Sequence, residues 1–329
     1  IMKPSLKSIL YAGGIAAALL ASSAAFADKW NMPTRSNERN YQTRNILQFA
    51  ADVKKATDGK VDIVVHPEDS LVKQPEVKRA VQTGQIQIGE LLMSLHSNEA
   101  ALFGVDSVPF LATNNAEYAK LLKVVRPFLE ERLKKQGLRL LFVVPFPPNS
   151  FYTGKEIHST SDFKGLRFRA FNPVTGRLAE LMGAVPVTVQ QSEVPQAFST
   201  GVIQAMITSS ATGVDTQAWD FVKYFYDVKA MAPWDITIVN ERVFGGLDKK
   251  TQDAVLAAGK IAEERGWKLQ AEETGKLVAT LKSKGMDVRQ PSPALMAELN
   301  KIGEQLIAEW SKAAGEDGPK ILDQFRKAN

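Results

Sequence analysis

The segment best equipped for chemistry runs Gly165-Leu166-Arg167-Phe168-Arg169-Ala170-Phe171-Asn172-Pro173. Its alternation reads as a strand with Leu166, Phe168 and Ala170 on one face and both arginines on the other. Ligands of open α/β sheets bind beyond the carboxyl ends of the strands, and Arg169 lies nearer that end than Arg167. A guanidinium placed there grips a carboxylate through two parallel charge-assisted hydrogen bonds. Strand arginines more often face solvent or join ion pairs, so the segment takes its meaning from what surrounds it.

The inventory for catalysis is thin by comparison. The only histidines are His66, His96 and His158, far apart in the chain, and none stands in an H-E-x-x-H motif or beside a G-x-S-x-G elbow. There is no P-loop and no dinucleotide fingerprint. His66 before Pro67 reads as a strand end and His158 as an exposed loop residue, while His96 follows a strand that should point at a cleft. With no cysteine, disulfides, thiolate metal sites and cysteine nucleophiles are excluded. The expectation is a binding protein without catalytic residues, metal or cofactor.

The elements that must position Arg169 follow an α/β alternation. A helix with Ile46, Leu47, Ala50 and Val53 on one stripe precedes the Asp58-Gly59 turn and a strand over Val61 to Val65. A short helix through Glu76 to Val81, a break at Gly84 and a strand from Ile86 to Leu92 come next. Tyr118, Leu121, Leu122, Val125, Phe128, Leu129 and Leu133 recur at helical spacing and lead to an apolar strand from Leu138 to Val144. Pro145, Pro147 and Pro148 interrupt both helix and central strand, which marks a linker and hinge.

The alternation then restarts. Strands from Leu166 to Ala170, Ala184 to Thr188 and Ile203 to Thr208 are separated by helices over Thr175 to Met182 and Val194 to Thr200. A strand near Ile236 to Val239 returns to the first lobe, and a helix from Asp248 to about Lys284 follows. At about 1.5 Å per residue it extends roughly 50 Å and braces both lobes, with Gly259, Gly266 and Gly275 as its bending points. The tail carries a helix with Leu295, Leu299, Ile302 and Leu306 on one face, and a shorter one ending near Phe325. The expected architecture is an α/β two-lobed clamp of mixed sheets flanked by helices. Residues 28–147 and 235–274 form the first lobe; residues 148–234 and 275–329 form the second.

The amino-terminal residues read as a removable leader. Lys3 and Lys7 precede an apolar run from Ile9 to Leu20, and small residues end in Ala25-Phe26-Ala27, an A-x-A site with cleavage expected after Ala27. The run is shorter than the roughly 20 apolar residues of a bilayer span and contains Gly13 and Gly14. Of the 329 residues 44% are hydrophobic, enough for a packed core. The net charge of +5 falls to +3 without Lys3 and Lys7, a balance that argues against nucleic acid and fits a secreted protein handling small anions.

Four segments carry a resemblance when taken in order: the Gly165 to Asn172 stretch; Met182-Gly183-Ala184-Val185-Pro186-Val187; Ser192-Glu193-Val194-Pro195-Gln196-Ala197-Phe198; and Gly201-Val202-Ile203-Gln204-Ala205. Together they resemble the solute-binding subunits of TRAP transporters. Trp30-Asn31-Met32, Asp58-Gly59-Lys60-Val61, the Gly84 to Glu90 segment, Val108-Pro109-Phe110 and the long later helix extend the resemblance over the mature chain.

The resemblance implies a periplasmic receptor, expected as a monomer, that closes two lobes on a small organic acid and delivers it to membrane permease subunits. It implies Arg169 as the carboxylate anchor, Asn172 beside it, and Gln191, Thr208 and the Trp234-Asp235 pair around the cleft, with Glu90 from the first lobe. Phe146, Phe151 and Trp234 would supply an apolar wall. Asn149 stands where some members have a second arginine, and Gln204 and Ala205 replace the usual acid and glycine, which favours a monocarboxylate bearing a hydroxyl, keto or aromatic group. Two other readings remain open. One is a receptor of an ATP-driven importer, which a neighbouring ATPase gene would favour; the other is a secreted enzyme acting on a carboxylate.

Overall fold

The computed structural model describes residues 28–328; the leader read at residues 1–27, with its cleavage after Ala27, lies outside them. The first lobe is built from β1 (Asp28–Pro33), α1 (Tyr41–Ala56), β2 (Val61–His66), α2 (Gln74–Thr83), β3 (Ile88–Leu92), α3 (Asn115–Lys135) and β4 (Leu138–Pro145). The second contains β5 (Asn149–Thr153), β6 (Arg167–Ala170), α4 (Pro173–Leu181), β7 (Val185–Thr188), α5 (Val194–Ser199), β8 (Ala205–Ser209), α6 (Ser210–Asp215) and β9 (Tyr224–Tyr226). The chain then crosses back through β10 (Trp234–Asn240), α7 (Glu241–Gly245) and α8 (Lys249–Ser283). It ends in β11 (Asp287–Arg289), α9 (Pro293–Ala313) and α10 (Asp317–Lys327). Among the described residues no helix is long and apolar enough to cross a membrane.

β10 lies between β3 and β4, antiparallel to both, while β1 and β2 pair in parallel and pack beside β3. The second-lobe sheet has the order β11-β9-β5-β8-β6-β7; β8, β6 and β7 run parallel, and β5 is antiparallel to β8 and β9. Two extended segments cross side by side between the lobes at the cleft, one through Phe146 and the prolines after it, the other from Tyr226 to Trp234. They pair with each other: Phe146 N donates to Pro233 O at 2.8 Å and Asn149 N to Met231 O at 2.7 Å. These bonds satisfy backbone that the prolines leave outside either sheet. Phe110, in the left-handed region at φ 60°, donates its N–H to Ala230 O at 2.7 Å and fixes the second crossing segment to the first lobe.

The buried stripe of α1 is Ile46, Phe49, Ala50 and Val53; Leu47, expected on it, faces solvent, because it falls one residue off the 3.6-residue period. α8 spans 35 residues without a break at any glycine. Val255, Ala258 and Ala262 pack into the first lobe and Leu281 into the second, so the helix bridges both. Gly259 and Gly266 serve close approach to β4: a Cβ on Gly266 would lie 2.4 Å from Val144 Cγ2, and one on Gly259 would lie 3.2 Å from Leu141 O. The tail divides. Leu295, Leu299 and Leu306 of α9 join the second-lobe core, whereas Ile321, Leu322 and Phe325 of α10 return to the first-lobe core against α3. Residues 317–327 therefore pack with the first lobe, where the sequence placed them with the second.

Candidate functional site

The carboxyl edge of the second-lobe sheet gathers the polar groups. Arg169 lies near the end of β6, Thr208 and Ser209 at the end of β8, and Asn149 at the start of β5, which runs the other way and pairs with Ser209. Alternating parallel and antiparallel neighbours bring all four to one rim. From the first lobe come Arg35, just beyond β1, Leu92, the last residue of β3, and Phe146 and Pro233 from the crossing segments. With Phe171 and Thr212 these residues line a narrow interlobe cavity of about 10 Å³, room for about one water with the lobes as they stand.

Arg169 is 2% exposed, and among the described residues no carboxylate lies within ion-pair distance of it. Its Nε donates to Val189 O at 2.9 Å and its Nη1 to Thr208 Oγ1 at 3.4 Å; the guanidinium carbon lies 5.2 Å from the centre of the Phe171 ring. Burial, with the nearby Arg35 charge, draws its pKa down to about 9, which leaves it charged at neutral pH. A buried charge lacking a counter-charge is unfavourable until an anion arrives. The fork is held on one side by neutral oxygens, and a carboxylate is the chemical complement of its remaining N–H groups.

Arg35 is held differently. Its Nε pairs with Asp235 Oδ2 at 3.3 Å, and its guanidinium carbon lies 4.2 Å from the centre of the Phe146 ring. Glu90, opposite Thr237 on β10 and diagonal to Asp235, accepts from Arg35 N at 3.4 Å. Burial, then the charge of Asp235 beside it, pushes the Glu90 carboxyl well above the usual range. Asp106 sits nearby, accepts Trp234 N at 2.6 Å, and is raised by burial to about 7.

The structure brings Arg169, Thr208, Asn149 and Phe146 together in the cavity and leaves the other expected residues off its lining. Asn172 is consumed by structure: its Oδ1 accepts Thr175 N at 2.8 Å as the cap of α4, and its Nδ2 donates across the cleft to Ser94 Oγ at 2.8 Å and Ser107 Oγ at 3.0 Å. Gln191 turns its Nε2 toward Asp215 Oδ2 at 3.4 Å, a carboxylate that also accepts Asn40 Nδ2 from the first lobe at 2.7 Å. Trp234 is fully buried in the first-lobe core, and Phe151 packs between Phe163 and Phe168; of the expected wall Phe146 lines the cavity, joined by Phe171, Leu92 and Pro233. Glu90 and Asp235 stand behind Arg35, not in the cavity. His96 is half-buried and neutral at pH 7, drawn down to about 4 by burial and then by Lys78.

Sequence reasoning missed Arg35 and Phe171 as cavity residues. Arg35 follows the carboxyl end of β1, so the edge rule that selected Arg169 would have selected it had Trp30 to Pro33 been read as a strand. A wider groove, of about 380 Å³ among α1, α6 and α8, lacks an unmatched buried charge: Arg39 and Lys284 are exposed, Glu273 is paired and Asp215 is hydrogen-bonded.

A two-lobed clamp with an unpaired guanidinium in its cleft defines a receptor for a small anionic solute. The profile of DctP, the bacterial extracellular solute-binding proteins of family 7, matches residues 34–313, and the chain belongs to that family. The DctP7 extracytoplasmic solute receptor of Bordetella pertussis, whose crystal structure binds pyroglutamic acid, is 50% identical. That match covers 92% of this chain and 100% of the other with a TM-score of 0.90. A marine-metagenome TRAP solute-binding protein specific for pyroglutamate is 36% identical over 92% of this chain and 99% of its own, also at a TM-score of 0.90. The C4-dicarboxylate-binding periplasmic protein DctP of Rhodobacter capsulatus is 28% identical over 83% of this chain and 87% of its own. The fold and the family together make the chain an extracytoplasmic solute receptor of the TRAP type for small organic acids.

Proposed function

We propose that this receptor captures a compact monocarboxylate of the pyroglutamate type in the periplasm and hands it, unaltered, to the permease subunits of a TRAP transporter. The observation that carries the reading is the buried Arg169 without a counter-charge, in an interlobe cavity walled by Phe146, Phe171, Leu92 and Pro233. The acid's carboxylate occupies the free side of the Arg169 fork, its ring lies against the aromatic walls, and Thr208, Ser209 and Asn149 face its remaining polar atoms. The binding of pyroglutamic acid by relatives of 36% and 50% identity supports that choice of ligand.

Capture follows from the hinge. The lobes close about the paired crossing segments, water leaves the cavity, and the ion pair gains strength in the lower local dielectric. Micromolar affinity requires only about 8 kcal/mol of net binding free energy, which one bidentate pair, a few hydrogen bonds and apolar contact supply. Among the described residues no histidine lines the cavity, and the acid is released as it entered.

Calorimetric titration of the mature protein from Asp28 onward with pyroglutamate, other small organic acids, sugars and amino acids tests the reading. Pyroglutamate should bind at micromolar Kd or better, with heat lost in Arg169→Ala while the circular dichroism spectrum is kept. Binding of sugars alone, or pyroglutamate affinity retained in Arg169→Ala, would refute it.

A further inference from the structure

Both guanidiniums at the cavity are cations, yet they bring different net charges to it. Arg169 has no carboxylate partner, whereas behind Arg35 stand two carboxyls, Asp235 on β10 and Glu90 on the neighbouring β3. Asp235 Oδ2 takes the Arg35 Nε–H, and Glu90 Oε2 takes the Arg35 backbone N–H. The other two oxygens, Asp235 Oδ1 and Glu90 Oε1, are buried and have no donor among the described residues. Glu90 and Asp235 stand diagonally across the β3–β10 pairing, near enough for the Asp235 charge to hold the Glu90 carboxyl up. Two carboxylates in that position cannot both ionise, and one proton held between them satisfies oxygens that nothing else satisfies. The pair then carries a single negative charge, which cancels that of Arg35.

We infer that the Glu90–Asp235 pair sets the charge of the ligand. By holding one negative charge behind Arg35 it leaves the cavity with the single positive charge of Arg169, and so it selects a monoanion over a dianion of equal size. The inference rests on the reading of Arg169 as the carboxylate anchor. A second ligand carboxylate would enter a desolvated cavity whose remaining guanidinium is already neutralised, and an unmatched buried charge is strongly disfavoured. Asn149 adds an amide at the rim and no compensating charge. Glu90 and Asp235 do not touch the ligand; they are positioning residues that act through Arg35.

Glutarate has as many heavy atoms as pyroglutamate but two carboxylates, and it supplies the test. Both acids are titrated calorimetrically at pH 7 into the mature wild type, Glu90→Gln, Asp235→Asn and the double variant. Wild type should favour pyroglutamate by roughly 100-fold or more, the scale on which a close charge pair acts. Glu90→Gln keeps the charge on Asp235, and Asp235→Asn lets Glu90 ionise in its place, so each single variant keeps most of the preference. The double variant frees Arg35 and should reduce the ratio at least about tenfold through a gain in glutarate affinity.

An unchanged ratio in a folded double variant would overturn the inference, as would its collapse in Glu90→Gln alone, while leaving the Arg169 anchor standing. A wild type that binds neither acid would overturn both. The infrared spectrum offers a readout that does not need the double variant to fold: subtracting the Glu90→Gln spectrum from that of wild type must leave a protonated-carboxyl band, over and above that of Asp106, which both proteins share. No such band in the difference spectrum would equally end the proposal.

Discussion

Each lobe lends one arginine to the same cavity, and the two are kept in opposite electrical states. The first lobe backs Arg35 with Asp235, Glu90 and, a little further off, Asp106, all buried. The second surrounds Arg169 with the Val189 carbonyl, the Thr208 hydroxyl and the Phe171 ring, and with no acid. One face is neutral and pre-assembled; the other is charged and incomplete. The difference separates a guanidinium that shapes the cavity from one that waits for an anion.

The largest expected effect tests that ranking directly. Arg169→Met should cost about 2–5 kcal/mol of ligand binding, the range for truncating one partner of a buried charge pair. Replacing Arg35 by Met together with Glu90→Gln and Asp235→Asn, so that no charge is stranded, should cost at least about tenfold less in Kd, because the charge of Arg35 is already spent on Asp235. Equal losses measured by calorimetry would break the comparison.

A second test concerns the acids of the first lobe. Asp106 titrates near 7 in the folded protein because it is buried, against about 3.9 in an unfolded chain. Between those values the folded state holds a proton that the unfolded state has released, so stability is greatest at the acid end. It should fall as pH rises from about 4 to 7, by up to about 1.4 kcal/mol per unit. Glu90, raised for the same reason, adds a slope of the same sign. The melting temperature of the ligand-free protein should decline over this window, and Asp106→Asn, which keeps an acceptor for Trp234 N, should flatten the decline. A decline unaltered in that variant would show that the proton sits elsewhere.

The smallest effect sharpens the boundary between the lobes. Asn172→Ala removes the cap of α4 and both bonds to Ser94 and Ser107, and should lower stability by about 1 kcal/mol. Because those bonds cross the cleft, ligand affinity should also weaken a few-fold. A melting shift with unchanged Kd would confine Asn172 to its cap.

Arg169 was legible for local reasons. A strand alternates its side chains with period 2, the chain direction names the carboxyl end, and both can be read within nine consecutive residues. Asn172 was legible as a neighbour but not in its role, since the following Pro173 and Thr175 give it a cap to make and the opposite lobe gives its amide two hydroxyls. Trp234 carried no local sign of its direction, and its ring went to the first-lobe core. Gly259 and Gly266 could be read as bends or as close contacts until the path of β4 beneath α8 decided for contact.

What the sequence determined by itself is the α/β alternation, with β1, β5, β9 and β11 left unread, the break at the prolines and the arginine at the edge. Each of these is encoded in periodicity and backbone stereochemistry over short spans. What only the tertiary structure decided is the electrical state of the site. Whether a guanidinium is matched, or a carboxyl keeps its proton, depends on groups far apart in the chain, here Arg35, Glu90 and Asp235, brought together where water cannot screen them.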